Sequence, residues 1–399
     1  MSSVVENPIR IVKNKAFPID PLLLFACVGL LLMGFVMMAS SSLHLGVKLA
    51  EKQWFFYPLR QMLHIGLGTV LGAGVCKLPI KFWEKWGVPL FIGGLLLLVV
   101  VLIPGLGVKV NGSVRWLAVA GVRIQVSEVV KFLTVVYMAG YINRHQKALR
   151  ESAFGIFKPL VLFAVASLLL LLEPDFGSAV VIMCIVMGIL FLAGARLSQF
   201  IILLVLLTVA AVILVYLSQY RSARVTSFLN PWGDPQRTGF QLIQALISLG
   251  SGEWFGVGLG NGVQKLFYLP EAHTDFLFSV IGEELGFFGI TAVIALFALF
   301  VWRAFVIAME AERVGQRFSA FTAYGLAIWF GFQAFVHMGV NMGMLPTKGL
   351  TLPLMSYGGG SMMVMCCAVA LLFRVNYELH EQKAGNPKIK GRTQWSSAL

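Results

Sequence analysis

Charge is scarce in this 399-residue chain: 12% of its residues are Asp, Glu, Lys or Arg, whereas 58% are hydrophobic. Soluble domains carry about 25% charge. At a mean hydropathy of +0.84, that much apolar surface does not fit inside one aqueous core, so most of it must face lipid. A soluble enzyme, a disordered chain and a secreted disulfide scaffold are thereby excluded. Cysteine is scarce too. Cys27, Cys76, Cys184, Cys366 and Cys367 are scattered through apolar segments, where a small buried thiol is the ordinary role, and neither a disulfide nor a metal cluster is expected. Acids are outnumbered, 18 against 31 Lys and Arg, for a net charge of +13. The cations lie between apolar runs rather than in a groove-sized patch, so nucleic acid is not the expected partner. No period of about 20 to 50 residues recurs, and the halves show no matching broken helices, which weakens a transporter reading.

Long hydrophobic runs organise the chain into an all-α integral membrane protein. Ten spans are expected, at Pro21–Met38, Phe55–Val75, Trp86–Ile103, Val126–Ile142, Leu160–Leu172, Gly177–Ala195, Gln199–Leu217, Leu285–Phe305, Phe318–Val340 and Met362–Phe373. Ala39 to Ser42 imitates a leader cleavage site, but a long polar lead with Arg10, Lys13 and Lys15 and many later spans favour a retained first helix. With the N-terminus inside, the inward loops collect Lys77, Lys81, Lys85, Arg144, Lys147, Arg150, Lys158, Arg303, Arg313 and Arg317, and outward loops hold fewer cations. Both termini are therefore expected in the cytoplasm, which requires an even number of spans. The chain divides into a cytoplasmic tail at 1–20, a polytopic domain at 21–375 and a basic cytoplasmic tail at 376–399. One large extracytoplasmic loop occupies 218–275, and a stretch of that length is expected to be functional or to carry short elements of its own. Glu173, Asp175, Asp234, Glu253, Glu271, Asp275, Glu283 and Glu284 fall on or near the outer side, where any chemistry is expected.

Several segments carry candidate chemistry. Arg221, Arg224 and Gln241 in the large loop suit a headgroup with pyrophosphate and sugars, because guanidiniums fork onto phosphate and amides bond hydroxyls; contacts to lipid phosphate and loop acids fit equally well. Gly256, Gly258, Gly260 and Gly262 superficially resemble a nucleotide loop, but they follow no Rossmann strand and are better read as close backbone packing or an outer turn. Asp275, beside His273 and near Glu271, is either a general base or, with Thr274, a cap on the following helix. Glu128 and Lys131 share a helix face within a span and can pair. Asn111 and Gly112 signal a tight turn, with Arg115 and Trp116 near the interface. Asp175 in the turn EPDFG is equally a cap and a site residue. Prolines and glycines from Asn341 to Ser361 predict a re-entrant turn lining a pocket, with Lys348 placed to meet an anionic headgroup.

Together, NGSVRW at Asn111–Trp116, QVSEVVK at Gln125–Lys131, EPDFG at Glu173–Gly177, YLPEAHTDF at Tyr268–Phe276, and LPTKGLTLP with SYGG within Leu345–Gly359 resemble the SEDS family of bacterial cell-wall polymerases. The division branch, FtsW, is closer than its elongation sibling RodA, and the similarity runs from the first span to Arg374. The resemblance implies a ten-helix enzyme with an outward cavity that joins lipid II disaccharides into glycan strands at the division septum, releasing undecaprenyl pyrophosphate. It implies that Asp275 is essential and deprotonates the acceptor hydroxyl for attack on the donor sugar carbon, inverting that centre. Arg123, Glu128 and Lys131 are implied to belong to the same cavity, and Lys131 or Arg123 to balance the leaving pyrophosphate. The expected substrate-binding set is completed by Arg115, Asp175, Arg224, Gln241, His273, Lys348 and Ser356. The implied partners are a class B penicillin-binding transpeptidase and other division-complex proteins of the bacterial inner membrane; no cofactor is implied with certainty, and a divalent cation is left open. The pattern departs from the family at Val126, where proline is familiar, at His337 for asparagine, at Gly360 for serine and at Glu253 for glycine. A lipid II flippase and a scaffold recruiting division proteins are the competing functions, and neither requires a base at Asp275.

Overall fold

The computed structural model describes residues 19–49, 54–110, 113–119, 122–151 and 154–385. The Asn111–Gly112 turn signal and most of both polar tails lie outside the described residues. The elements are α1 (Pro21–Leu49), α2 (Phe56–Lys77), α3 (Ile80–Leu102), β1 (Gly107–Val110), β2 (Ser113–Val119), β3 (Val122–Gln125), α4 (Val126–Glu151), α5 (Phe154–Leu172), α6 (Phe176–Leu192), α7 (Leu197–Tyr216), α8 (Gln219–Leu229), a 3₁₀ turn (Pro231–Gly233), α9 (Phe240–Ser251), α10 (Leu277–Arg313), α11 (Arg317–Asn341) and α12 (Gly359–Gly385). Each of the ten expected runs falls on one of α1 to α7 and α10 to α12.

Seven of these helices among the described residues, α1, α3, α5, α7, α10, α11 and α12, are long and apolar enough to cross a membrane. The other three are interrupted or short: α2 carries Arg60, Gln61 and His64, α4 carries Ser127, Glu128 and Lys131, and α6 has 17 residues. The large loop carries α8, the 3₁₀ turn and α9, one of the two alternatives its length left open. The last helix runs on to Gly385, so residue 375 lies within a helix rather than at an element boundary.

The helical class gains one addition. A three-stranded antiparallel sheet in the order β1-β2-β3 sits between α3 and α4, with Trp116 opposite Gln125 and Ala118 opposite Arg123. Its β-branched residues Val108, Val110, Val114, Val122 and Ile124 suit a pleated ribbon. β3 passes directly into α4 at Gln125–Val126 without a proline.

The core lies on α4 and α11, whose residues are buried along most of the span, whereas α7 has no buried residue and presents its apolar side chains outward. α2 and α12 approach closely because Gly68 and Gly72 expose backbone: a Cβ at Gly68 would lie 3.0 Å from Cys366 Sγ, and one at Gly72 3.2 Å from the Cys366 carbonyl. Small residues four apart are the usual means of bringing membrane helices together. At the end remote from the sheet, Arg303 bonds Asp20, Lys383 Nζ lies 2.5 Å from Glu310 Oε2, and Arg374 Nη1 donates to the Cys76 carbonyl at 3.2 Å. Arg303, Lys383 and Arg374 therefore lie at one end of the bundle.

Of the two readings left open for the glycine-rich stretch, close backbone packing and an outer turn, the structure shows packing. It lies against a kink in α10 at Gly286, where φ is +63°. Val257 N donates to the Glu283 carbonyl at 2.9 Å, Gly258 N to the Glu284 carbonyl at 3.1 Å, and Gly260 N to Glu284 Oε2 at 3.0 Å. Val263 N reaches Glu283 Oε1 at 2.7 Å, and Lys265 Nζ pairs with Glu284 Oε1 at 2.5 Å. Glu283 and Glu284 are thus consumed in holding this loop.

Gly256 has a φ of +79°, and a Cβ there would meet the Glu284 carbonyl oxygen at 2.2 Å. Gly256→Ala is expected to lose about 2 kcal/mol or more, combining left-handed strain with overpacking. A melting midpoint several degrees lower for the purified variant is the expected reading; an unchanged midpoint would show that the loop packs otherwise.

Candidate active site

Residues 273–275 are held from three sides through main-chain atoms. Tyr357 N donates to the His273 carbonyl at 3.0 Å, Ser356 Oγ to the Thr274 carbonyl at 2.6 Å, and Asn341 Nδ2 to the Asp275 carbonyl at 3.0 Å. None of these bonds uses the Asp275 carboxyl. The cap reading fails for both candidates: Phe276 is the N-cap of α10 and no side chain caps that terminus, while Thr274 Oγ1 donates to the Glu271 carbonyl at 3.2 Å. The Asp275 side chain is half-buried and lies against Gly349, where a Cβ would come within 2.9 Å of its Oδ2. Burial, reinforced by the Glu271 carboxylate, pushes its pKa up to about 7, with Arg224 and Arg115 pulling the other way.

Asp275 faces a cavity of about 1790 Å³ bounded by the sheet, α2, the starts of α6 and α12, α8 and the segment before α12. Arg115, Arg123, Asp175, Arg224, Gln241, His273 and Lys348 all line it, as expected from the sequence. Arg115 pins the turn between α5 and α6, its Nη2 donating to the Pro174 carbonyl at 2.5 Å. Asp175 caps α6, its Oδ1 accepting from Ser178 N at 3.3 Å, and it also lines the cavity. Arg224 Nη1 donates to the Thr347 carbonyl at 3.1 Å. Lys348 Nζ stands 3.6 Å from the centre of the Phe176 ring. Burial and the neighbouring Arg224 and Arg221 lower the Lys348 pKa to about 7, against the pull of Asp175.

Glu128, Lys131 and Ser356 do not line the cavity. Ser356 supports it from behind, through its bond to Thr274 and by accepting Leu352 N at 2.9 Å. Glu128 and Lys131 do pair, at 2.6 Å, but as a buried layer between α4 and α11. Lys131 Nζ also donates to Gln333 Oε1 at 3.0 Å, and Gln333 Nε2 donates to the carbonyl of Thr351, which does line the cavity. The ion pair therefore acts on the site through Gln333 rather than on a ligand directly.

Gln333, His337 and Asn341 follow one another at four-residue intervals on α11 and so form a single polar stripe. Gln333 holds Thr351, His337 Nδ1–H donates to the Leu350 carbonyl at 2.6 Å, and Asn341 holds Asp275 while accepting Ser279 N at 3.0 Å. His337 thus positions the segment that carries Lys348 and Gly349. Gly360 lets α12 meet β3: a Cβ there would lie 2.7 Å from Gln125 N.

Sequence reasoning missed Tyr57, Arg60 and His64, which line the cavity from α2. Their signal was available, since polar residues at three- and four-residue spacing on an otherwise apolar span share a face and are functional candidates. Among the described residues, no three His, Cys, Asp or Glu side chains converge as a metal site.

Lys131→Met would leave Glu128 buried and unpaired, at a loss of about 3–5 kcal/mol. A large fall in melting midpoint is expected, recovered in good part by Glu128→Gln in the same chain; a variant as stable as wild type would return Lys131 to a ligand-binding role. Asn341→Ala strands the Asp275 carbonyl and Ser279 N–H, an expected loss of about 1–3 kcal/mol read by the same melt.

Comparison with known proteins places the whole bundle. The family model described as cell cycle protein, FtsW/RodA/SpoVE, matches residues 21–381. A probable peptidoglycan glycosyltransferase FtsW of Methylomonas methanica is 64% identical over 94% of this chain and 97% of its own, and one of Methylococcus capsulatus is 57% identical over 93% of each. Among solved structures, a chain of a peptidoglycan synthase complex superposes with a TM-score of 0.75 at 27% identity, covering 92% of this chain and all of that one. RodA of Thermus thermophilus gives 0.66 at 27% identity, over 90% of this chain and 96% of its own. The chain belongs to the FtsW/RodA/SpoVE family of cell cycle proteins.

Proposed function

We propose that this chain is a peptidoglycan glycosyltransferase that polymerises lipid II into glycan strands at the division septum. The observation that carries the reading is a carboxyl of near-neutral pKa, Asp275, held through its backbone in the same cavity wall as Arg115, Arg224 and Lys348. The relatives called FtsW support the activity, and the cell-cycle family supports the septum. The gathering of cations at the end remote from the sheet supports an inner-membrane protein whose cavity faces outward.

In the proposed step Asp275 removes the proton from the acceptor sugar hydroxyl as its oxygen attacks the donor sugar carbon. The carbon–oxygen bond to pyrophosphate breaks, and undecaprenyl pyrophosphate leaves with the electron pair. A base works best with a pKa near the operating pH. Arg115, Arg224 and Lys348, fixed in the cavity wall, meet the charge that develops on the leaving group. A divalent cation bound beside Asp175, which lines the same cavity, would add neutralisation of that charge. A related chain in a peptidoglycan synthase complex supports a transpeptidase partner of class B penicillin-binding type, and other division proteins complete the proposed assembly.

The test is strand formation from lipid II by the purified protein with its transpeptidase, resolved on a gel. Wild type is expected to make strands and Asp275→Asn none. A wild type that makes no strands yet moves lipid II across vesicles would overturn the reading in favour of a flippase.

The pH profile follows from the two shifted groups. Asp275 must be ionised to accept a proton, so kcat/KM rises with pH through about 7; Lys348 must be protonated to hold pyrophosphate, so the rate falls as pH passes about 7. A narrow bell is expected, and Lys348→Arg, charged at every pH tested, is expected to remove the alkaline limb.

A further inference from the structure

A second, smaller pocket of about 490 Å³ lies beside the central cavity, between the later part of α1 and the loop that leads to Asp275. α1 starts at the Asp20–Arg303 end of the bundle and runs toward this pocket. Leu32, Val36, Ser40 and Leu43 recur along it at three- and four-residue spacing and so share one face. Leu32 and Val36 are exposed, which sets the pocket on the lipid-facing side of α1. Leu43, Trp54, Leu266 and Phe267 make its lining apolar. Lys265, the cation in that lining, is already engaged: its Nζ lies 2.5 Å from Glu284 Oε1 and 2.8 Å from Ser40 Oγ. The described lining therefore suits a hydrocarbon chain rather than a charged headgroup.

His44, Lys265 and Phe267 border both spaces, so the pocket adjoins the cavity that Asp275 faces. The Phe267 ring stands edge-on to His44, with centroids 4.8 Å apart. Its backbone has a φ of +72°, a left-handed conformation that a bulky residue adopts only where its surroundings impose it. Leu269 N donates to the Gln264 carbonyl at 2.8 Å and Gln264 N to Glu283 Oε1 at 3.1 Å, which clamps this turn in place. A lipid-linked headgroup bound in the central cavity must pass its chain back to the bilayer. We infer that the chain leaves past Phe267, and that the smaller pocket binds the polyisoprenoid segment next to the pyrophosphate. The inference rests on the polymerase reading above for its lipid-linked ligand. The pocket falls within the usual range of about 300–1,000 Å³ for one small ligand, which fits a segment of chain rather than its whole length.

The test is photocrosslinking of the full-length protein in phosphatidylcholine nanodiscs. The probe is undecaprenyl pyrophosphate with a diazirine in the isoprene unit next to the pyrophosphate, and labelled peptides are mapped by mass spectrometry. Label is expected on the peptides that hold Leu43, Trp54 and Leu266, and is displaced by unlabelled undecaprenyl pyrophosphate. Leu43→Trp, which fills the pocket, is expected to lower that label by about tenfold. Leu32→Trp, on the same face of α1 but outside the pocket, is expected to leave it unchanged. Label confined to other helices of the wild type would overturn the inference, whether or not Leu43→Trp folds. So would equal displacement by phosphatidylglycerol, or full labelling of a Leu43→Trp variant that melts like wild type. Label in the pocket of a protein that makes no strands supports the inference and rejects the polymerase reading; strands with label elsewhere reject the inference alone.

Discussion

The site depends on one constraint: a half-buried carboxyl must stay in the cavity wall without being neutralised by a permanent salt bridge. The structure meets it by gripping Asp275 through its peptide chain. Three donors, from Asn341, Ser356 and Tyr357, hold residues 273–275 by their carbonyls. The carboxyl is thereby aimed by backbone geometry, and its proton affinity is set by burial and by Glu271 against Arg224 and Arg115. Hydrogen bonds in so apolar a setting are stronger than in water, and leaving one unmade is correspondingly costly.

The same logic accounts for the polar stripe on α11. Packed against α4 and α6, α11 reaches both Asp275 and the Lys348 segment. Gln333, His337 and Asn341 each hold a carbonyl of those segments, and the Glu128–Lys131 pair completes the bonding of Gln333. A deeply buried ion pair contributes little net stability. Here it fixes the orientation of an amide that in turn fixes Thr351, which makes its role one of registry.

Much of this was legible in the sequence because apolar length and turn chemistry are local properties. The ten runs follow from such properties, and so do the pairs of alternatives left for the large loop and for Gly256, Gly258 and Gly260. The sheet did not emerge, because its strands are four to seven residues long and sit between two spans whose hydropathy dominates the region. Spacing put Glu128 and Lys131 on one helix face but could not say whether that face met the cavity or α11. Nor could it distinguish a capping Asp275 from a base, since the choice turns on where α10 begins. Arg60 and His64 were passed over because two polar residues within an apolar run read as noise until α2 is seen to border the cavity.

The central claim is that Asp275 ionises near neutral pH and that its ionised form does the work. Isotope-edited infrared titration of the carboxyl, comparing protein ¹³C-labelled at aspartate with the Asp275→Asn variant, observes that proton directly. The carboxylate band of Asp275 is predicted to appear with a midpoint near 7 that coincides with the acid limb of strand formation. A carboxylate already fully formed at pH 5, with the acid limb still near 7, would contradict the account and assign the limb to another group.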